Sequence, residues 1–372
     1  MPGRTQSHGA GHAHRDAHVP EVPLTDTSEK FAALLPLLAP HDRIAVDTEA
    51  DSLHCYFEKL CLIQISVPGT DLLIDPLAGL DLTALWNSWA GKELLFHGAD
   101  YDLRLLRRTG CPMPARIFDT MLAARLCGFA EFSYAALVER YIGMKIAKAS
   151  QKANWAARPL SPLMLDYAVN DTRHLAKIAD ILKAELDRLG RTAWFEQSCE
   201  RAIRSSEADK QIDPEQLWRI PGSGHLRGRA AAIFRELWHW RDDEAKRIDK
   251  PSFHILHSDR LVEAAVQFDS GGHIEFRHLR GPRAQRFQEA AKRGLAMPEA
   301  QWPKVVRTPR QRPSKAQFDR FLELKKQRDQ IAEEAKLDPS LIAPKATLEG
   351  IAFRATETLP KLLPWQRELL KL

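Results

Sequence analysis

The 372 residues predict an α/β domain, a mixed sheet flanked by helices, followed by an all-α region of one or more helical bundles. Two observations carry this reading. Apolar runs of strand length, broken by Pro, Gly and polar residues, fill the stretch from 44 to 119 and alternate with helix-length segments. After about residue 205 the apolar spacing becomes helical and stays helical.

Taken in order, Thr25-Asp26-Thr27-Ser28-Glu29 is a capping cluster ahead of a helix over 31–38. Strands are predicted over 44–48, 62–67 and 72–74, a helix over 80–89 and a buried strand over 94–97. Gly98 lets the chain turn into a helix over 101–108, and residues 117–119 form the last strand. Helices over 120–126, 134–141 and 163–189 follow, the last two separated by a basic loop, residues 145–162, that carries Trp155. Further on, helices over 216–220, 228–248, 259–268 and 283–293 make a compact bundle. Pro298, Pro303, Pro309 and Pro313 mark residues 297–315 as a linker. Helical periodicity resumes over 318–336 and continues to the C-terminus.

Composition removes several classes. A hydrophobic share of 44% argues against a largely disordered chain. No apolar stretch reaches the roughly 18–20 residues of a membrane span, and the N-terminus has no apolar signal core, so a cytoplasmic location without a membrane partner is expected. Five cysteines, an odd number without a C-x-x-C pair, argue against a zinc cluster or a disulfide framework. His8, His12, His14 and His18 sit in a Gly/Ala-rich run, and residues 1–24 read as a disordered His-rich tail. No G-x-x-x-x-G-K-[ST] loop is present. The net charge of +5 divides unevenly: residues 211–372 carry +8 and residues 1–210 carry −3. An acidic half beside a basic half suits a polyanionic partner.

The acidic residues that matter come in three short segments. Asp47-Thr48-Glu49 ends an apolar run, and side chains two apart on a strand share a face. Asp102 falls in the helix after Gly98. Tyr167 and Asp171 lie four apart in a helical pattern and share a face too. If these faces meet, carboxylates about 4 Å apart repel by roughly 4 kcal/mol at an effective dielectric near 20. Such a cavity persists only with protonation or with divalent cations. Oxygen-only ligation suits Mg²⁺ or Mn²⁺, and a pair of these ions is a device for in-line attack on a phosphodiester.

With these segments in place the chain resembles the ribonuclease D family, within the DEDD superfamily of 3′-5′ exonucleases, in the branch with tyrosine in its third motif. The first motif is Val46-Asp47-Thr48-Glu49 with Leu60-Cys61-Leu62-Ile63-Gln64-Ile65, and the second is Phe96-His97-Gly98-Ala99-Asp100-Tyr101-Asp102-Leu103. The third is Tyr167-Ala168-Val169-Asn170-Asp171, and Phe118-Asp119-Thr120 and Trp155-Ala156-Ala157-Arg158-Pro159-Leu160 also match. Residues 211–298 are similar to the helicase-and-RNase-D C-terminal (HRDC) domain through Leu237-Trp238-His239-Trp240-Arg241 and Lys250-Pro251. Residues 314–372 resemble a second, short copy through Arg328-Asp329-Gln330-Ile331-Ala332. The expected organisation is therefore a tail over 1–24, a ribonuclease-H-like exonuclease domain over 25–205, an HRDC domain over 211–298, a Pro-rich linker over 299–313 and an HRDC-like region over 314–372.

The resemblance implies that Asp47, Glu49, Asp102 and Asp171 bind two divalent ions, Mg²⁺ or Mn²⁺. Asp47 would be shared between them, and Tyr167 would orient or deprotonate the attacking water. Leu53 falls where related proofreading exonucleases set an apolar side chain against the terminal base, with a core or loop leucine as its alternative. Lys148, Lys152 and Arg158, in the loop ahead of the third motif, are expected at substrate phosphates, with a solvated charge run as the alternative. His97, which ends a buried strand, stands among the substrate-binding candidates with a structural role as its alternative. Asp119 reads as a helix cap, and Trp238 and Trp240 as bundle core. The activity implied is 3′-5′ exoribonuclease hydrolysis that releases nucleoside 5′-monophosphates, with a monomer acting on RNA, either tRNA precursors or other structured RNA. A DNA exonuclease and an inactive nucleic-acid-binding scaffold are the alternatives.

Overall fold

The computed structural model describes residues 22–146, 150–209, 213–304 and 312–372. The predicted tail, up to residue 21, and Lys148 lie outside the described residues. Among the described residues no helix is long and apolar enough to cross a membrane, and all five cysteines are free thiols.

A six-stranded mixed sheet forms the first layer, in the order β1-β4-β3-β2-β5-β6. Its strands are β1 (Leu24–Thr25), β2 (Arg43–Ala50), β3 (Leu60–Val67), β4 (Thr70–Ile74), β5 (Glu93–Phe96) and β6 (Arg116–Asp119). β2, β3 and β4 form an antiparallel meander, whereas β5 and β6 run parallel to β2. β3 is buried along its whole length, as its unbroken apolar run with one glutamine requires. β1 was not foreseen in the sequence, being two residues paired parallel to β4.

Helices cover both faces: α1 (Ser28–Leu38), α2 (Thr83–Ser88), α3 (Asp100–Arg108), α4 (Thr120–Leu126), α5 (Tyr134–Ile142), α6 (Pro162–Thr172), α7 (Leu175–Arg188) and α8 (Thr192–Ser206). Thr27 caps α1 by accepting the Lys30 N–H, as the capping cluster predicts. The single helix predicted over 163–189 is two. The ladder breaks at His174, whose N–H donates to the Tyr134 hydroxyl; Arg173 keeps its helical bond to the Val169 carbonyl while its side chain pairs with Asp71 at 2.7 Å. Ser66 and Thr172 join hydroxyls at 2.7 Å beside the break.

The bundle after residue 213 comprises α9 (Pro214–Leu217), α10 (Gly228–Arg247), α11 (Ser252–Ile255), α12 (Ser258–Asp269) and α13 (Gly281–Leu295). It has its own core, with Trp240 edge-on to Phe287 at 4.9 Å. It docks on the loop between β2 and β3. Asp249 adopts a left-handed φ of 47° just past α10, and its carboxylate accepts the N–H groups of Tyr56 and Phe57, both at 3.0 Å. Lys59 Nζ reaches the same carboxylate, Tyr56 donates its hydroxyl to Asp242, and Lys250 donates to the His54 carbonyl.

The final helices are α14 (Lys315–Ala335), α15 (Pro339–Ile342), α16 (Lys345–Phe353), α17 (Ala355–Thr358) and α18 (Pro364–Leu370). The sequence sets this region apart as a separate copy. In the structure its buried residues, Leu324, Ile342, Leu348 and Trp365 among them, continue the apolar core of the sheet domain. Trp365 stacks on Trp194 of α8 at 5.1 Å, and Arg191 donates to the carbonyls of Leu126 and Ala335, pinning the two parts together. Gly128 sits where a Cβ would lie 2.3 Å from the Lys336 carbonyl oxygen, so only glycine allows this approach.

Candidate active site

The acids converge at the end of β2. Asp47 and Glu49 alternate with Thr48, so both carboxylates face the side covered by α6 while Thr48 faces the other. Ser161 caps α6, Pro162 opens it, and the helix sets Tyr167 and Asp171 one turn apart on one face. Carboxylate oxygens of Asp47, Glu49 and Asp171 lie within 4.8 Å of one another. Asp102 stands outside that trio. It comes from the first turn of α3, is buried, and accepts a hydrogen bond from Thr48 Oγ1 at 2.5 Å. Its neighbour Asp100, the other acid of that motif, is exposed and paired with Arg104.

The electrostatics of this cavity are those of acids held too close. Burial first, then the charges of Asp102, Asp171 and Glu49, raise the Asp47 carboxyl well above the usual range. Burial, then Asp171 and Asp102, push Glu49 up to about 9. Burial raises Asp171 and Asp102 to about 7 each, against hydrogen bonds from Tyr167 and Thr48 that favour their ionised forms. Burial also lifts the Tyr167 phenol far above the ordinary tyrosine range, reinforced by Asp171 and Glu49, so it remains a hydrogen donor. Trp155 flanks the Tyr167 ring at 6.1 Å. An all-oxygen set of crowded, half-buried carboxylates fits a hard divalent cation, whose charge offsets these shifts.

Around the acids the structure spends several predicted residues on the scaffold. Asp119 accepts four backbone N–H groups: Met121 and Leu122, whose helix it caps, and Gly98 and Ala99, which begin the turn into α3. It therefore ties the turn that presents Asp102 to the end of β6. His97, a substrate-binding candidate, instead bonds Thr120 Oγ1 at 2.9 Å through Nδ1 and packs on Tyr134. Burial holds it neutral, with a pKa lowered to about 4. Arg158 is a clear correction. Its guanidinium turns inward to Asp75 at 2.5 and 2.6 Å and to the carbonyls of Cys61, Trp155 and Ala157, because Asp75 is buried and needs a cation. It locks the 150–161 loop to the sheet and has no group left for phosphate. Leu53 is exposed in the loop between β2 and β3, and Lys152 is exposed across from it, its carbonyl within reach of His54.

Two site neighbours escaped the sequence reading. Thr48 was read only as a spacer between acids; its alternation signal places it opposite them, where it meets Asp102. Gln64 lies opposite Asp47 in the β2–β3 register, fully buried, with neither amide atom hydrogen-bonded among the described residues. A lone glutamine inside an apolar strand was the available signal.

A mixed sheet whose central strand and facing helix gather three carboxylates and a phenol, with a fourth carboxylate from a neighbouring helix turn near enough to raise two of them, defines a divalent-metal-dependent 3′-5′ exonuclease. The family profile described as 3′-5′ exonuclease matches residues 23–187, and that of the HRDC domain matches residues 230–293. The chain is 33% identical to the ribonuclease D of Jannaschia sp. (strain CCS1) over 348 residues, 89% of each chain. It is 32% identical to that of Zymomonas mobilis, over 93% of this chain and 91% of the other. It belongs to the ribonuclease D family. The fold is shared with Escherichia coli RNase D, described as an exoribonuclease involved in structured RNA processing, at a TM-score of 0.70 and 22% identity over 94% of this chain and 98% of that one.

Proposed function

We propose that this chain removes nucleotides from the 3′ ends of structured RNA, tRNA precursors among them, releasing nucleoside 5′-monophosphates. The observation that carries the reading is the convergence of Asp47, Glu49 and Asp171 within 4.8 Å beside a protonated Tyr167. Asp47, Glu49, Asp171 and Asp102 are the residues to hold two ions, Mg²⁺ or Mn²⁺, with Asp102 kept at the rim by Thr48. Bound ions would lower the pKa of water and offset charge on the phosphodiester. Tyr167, whose hydroxyl hydrogen goes to Asp171, orients the water through its oxygen and does not act as a base, since its phenol stays protonated near neutral pH. Leu53, exposed beside the site, packs against the terminal base, and Lys152 contacts the backbone. The protein works as a monomer in the cytoplasm, its basic C-terminal half lying along the body of the RNA.

The test uses 5′-labelled RNA and DNA of one sequence with Mg²⁺ or Mn²⁺, beside an Asp47→Ala control. A ladder shortening from the 3′ end on RNA, absent in the control, is expected. DNA degraded far faster than RNA would overturn the substrate assignment, and Mn²⁺ binding without any hydrolysis would overturn the enzyme.

A further inference from the structure

The C-terminal end of α8 and the segment leading into α18 enclose a surface cavity of about 430 Å³. Its charged lining has one sign: Arg201, Arg204, Lys361 and Arg367, with Ser205 beside them and no carboxylate among the described residues. Many arginines of this chain meet acids, as Arg158 meets Asp75 and Arg173 meets Asp71. Here three of the four cations lack one among the described residues. Arg201 is held by the neutral amide oxygen of Gln366, and Arg367 by the carbonyls of Pro360 and Leu362. Among the described residues neither of them, nor Lys361, forms an ion pair, and Arg367 Nε is buried without a partner. Arg204 alone has an acid, Glu200, at 3.7 Å in an exposed pair.

Like charges gathered this way repel one another unless an anion joins them. Neutral acceptors have already fixed two of the guanidinium forks, and such forks match phosphate oxygens. We propose that this cavity binds a backbone phosphate of the RNA, at a nucleotide upstream of the end being hydrolysed. This rests on the exoribonuclease reading above and adds a second point of contact, formed jointly by α8 and the final helices. A polyanionic strand suits an open cavity whose cations come from two separate segments better than a single small anion does.

The test compares the full chain with an Arg204→Gln/Lys361→Gln double variant, whose side chains are exposed, and with Arg367→Gln. RNA affinity is measured in EDTA, without turnover, on a 20-nucleotide strand at several salt concentrations. Releasing that one phosphate should lower the log–log salt slope by about 0.7 for single strands, and Arg367→Gln should weaken binding in the same direction. Hydrolysis of a dinucleotide, which has no phosphate upstream of the bond cleaved, should be equal in all forms. That last measurement reports on the hydrolytic reading separately from the cavity. Unchanged salt slopes in both variants would overturn the proposal. So would inorganic phosphate raising the melting temperature of the parent chain but not of the variants while RNA affinity stays the same, since the cavity would then hold a free anion.

Discussion

Stripping divalent ions from this protein and raising the pH should loosen its exonuclease half while leaving the α9–α13 bundle intact. Glu49 moves from an ordinary 4.5 to about 9 on folding, by burial and by the charges of Asp171 and Asp102. A carboxyl whose folded pKa is raised binds its proton more tightly in the native state. Its neutral form is therefore tolerated below pH 4.5, and stability falls as pH rises from there towards 9. At ~1.4 kcal/mol per pH unit, the loss between pH 6 and 8.5 is about 3 kcal/mol from Glu49. Asp47, Asp102 and Asp171 are raised by the same crowding, and a proton placed on one relieves the others, so their shifts are not added. For a domain of this size that corresponds to about 6–12 °C in Tm. Calorimetry in EDTA from pH 6 to 8.5 reads it directly, with saturating Mg²⁺ as the comparison. The lower-melting transition should fall with pH in EDTA, hold steady with Mg²⁺, and lose most of its slope in Glu49→Gln. A flat profile in EDTA, or an equal slope in Glu49→Gln, would refute the reasoning.

Other expectations follow from particular contacts. Asp47→Ala should cost at least about a thousandfold in kcat, because it removes charge from the centre of the trio. Tyr167→Phe should cost about a hundredfold, since it keeps every carboxylate; equal losses in single-turnover assays would show the phenol to be indispensable. Asp249→Ala removes the acceptor for Tyr56 and Phe57, so calorimetry should show the bundle melting apart from the exonuclease half, with KM for long RNA raised more than kcat is lowered. Trp365→Ala, at a buried stacked ring, should destabilise by about 3–5 kcal/mol in denaturant titration.

The strands and the acids were legible because their signals are local. Alternation on β2 put Asp47 and Glu49 on one face, and the four-residue spacing did the same for Tyr167 and Asp171. What escaped depends on partners distant in sequence. Nothing near Arg158 announces that Asp75, 83 residues earlier, will claim its guanidinium. The break after Thr172 reflects Tyr134, which takes the His174 N–H from across the fold. The apolar face of the final helices was visible as periodicity, but periodicity does not say which surface it covers, and here it covers α8 and its neighbours.

That shared core makes the catalytic body discontinuous in sequence, with the α9–α13 bundle inserted between its two pieces. Cutting the gene at residue 210 would not yield a minimal nuclease. It would bare Trp194 and the apolar surface beneath Trp365, and the product would aggregate before its RNA affinity could be measured. A single protease cut between residues 298 and 314 would leave the C-terminal fragment clamped in place. The chain behaves in this respect as a closed loop, and two pieces, 1–298 and 312–372, should assemble into one particle when co-expressed.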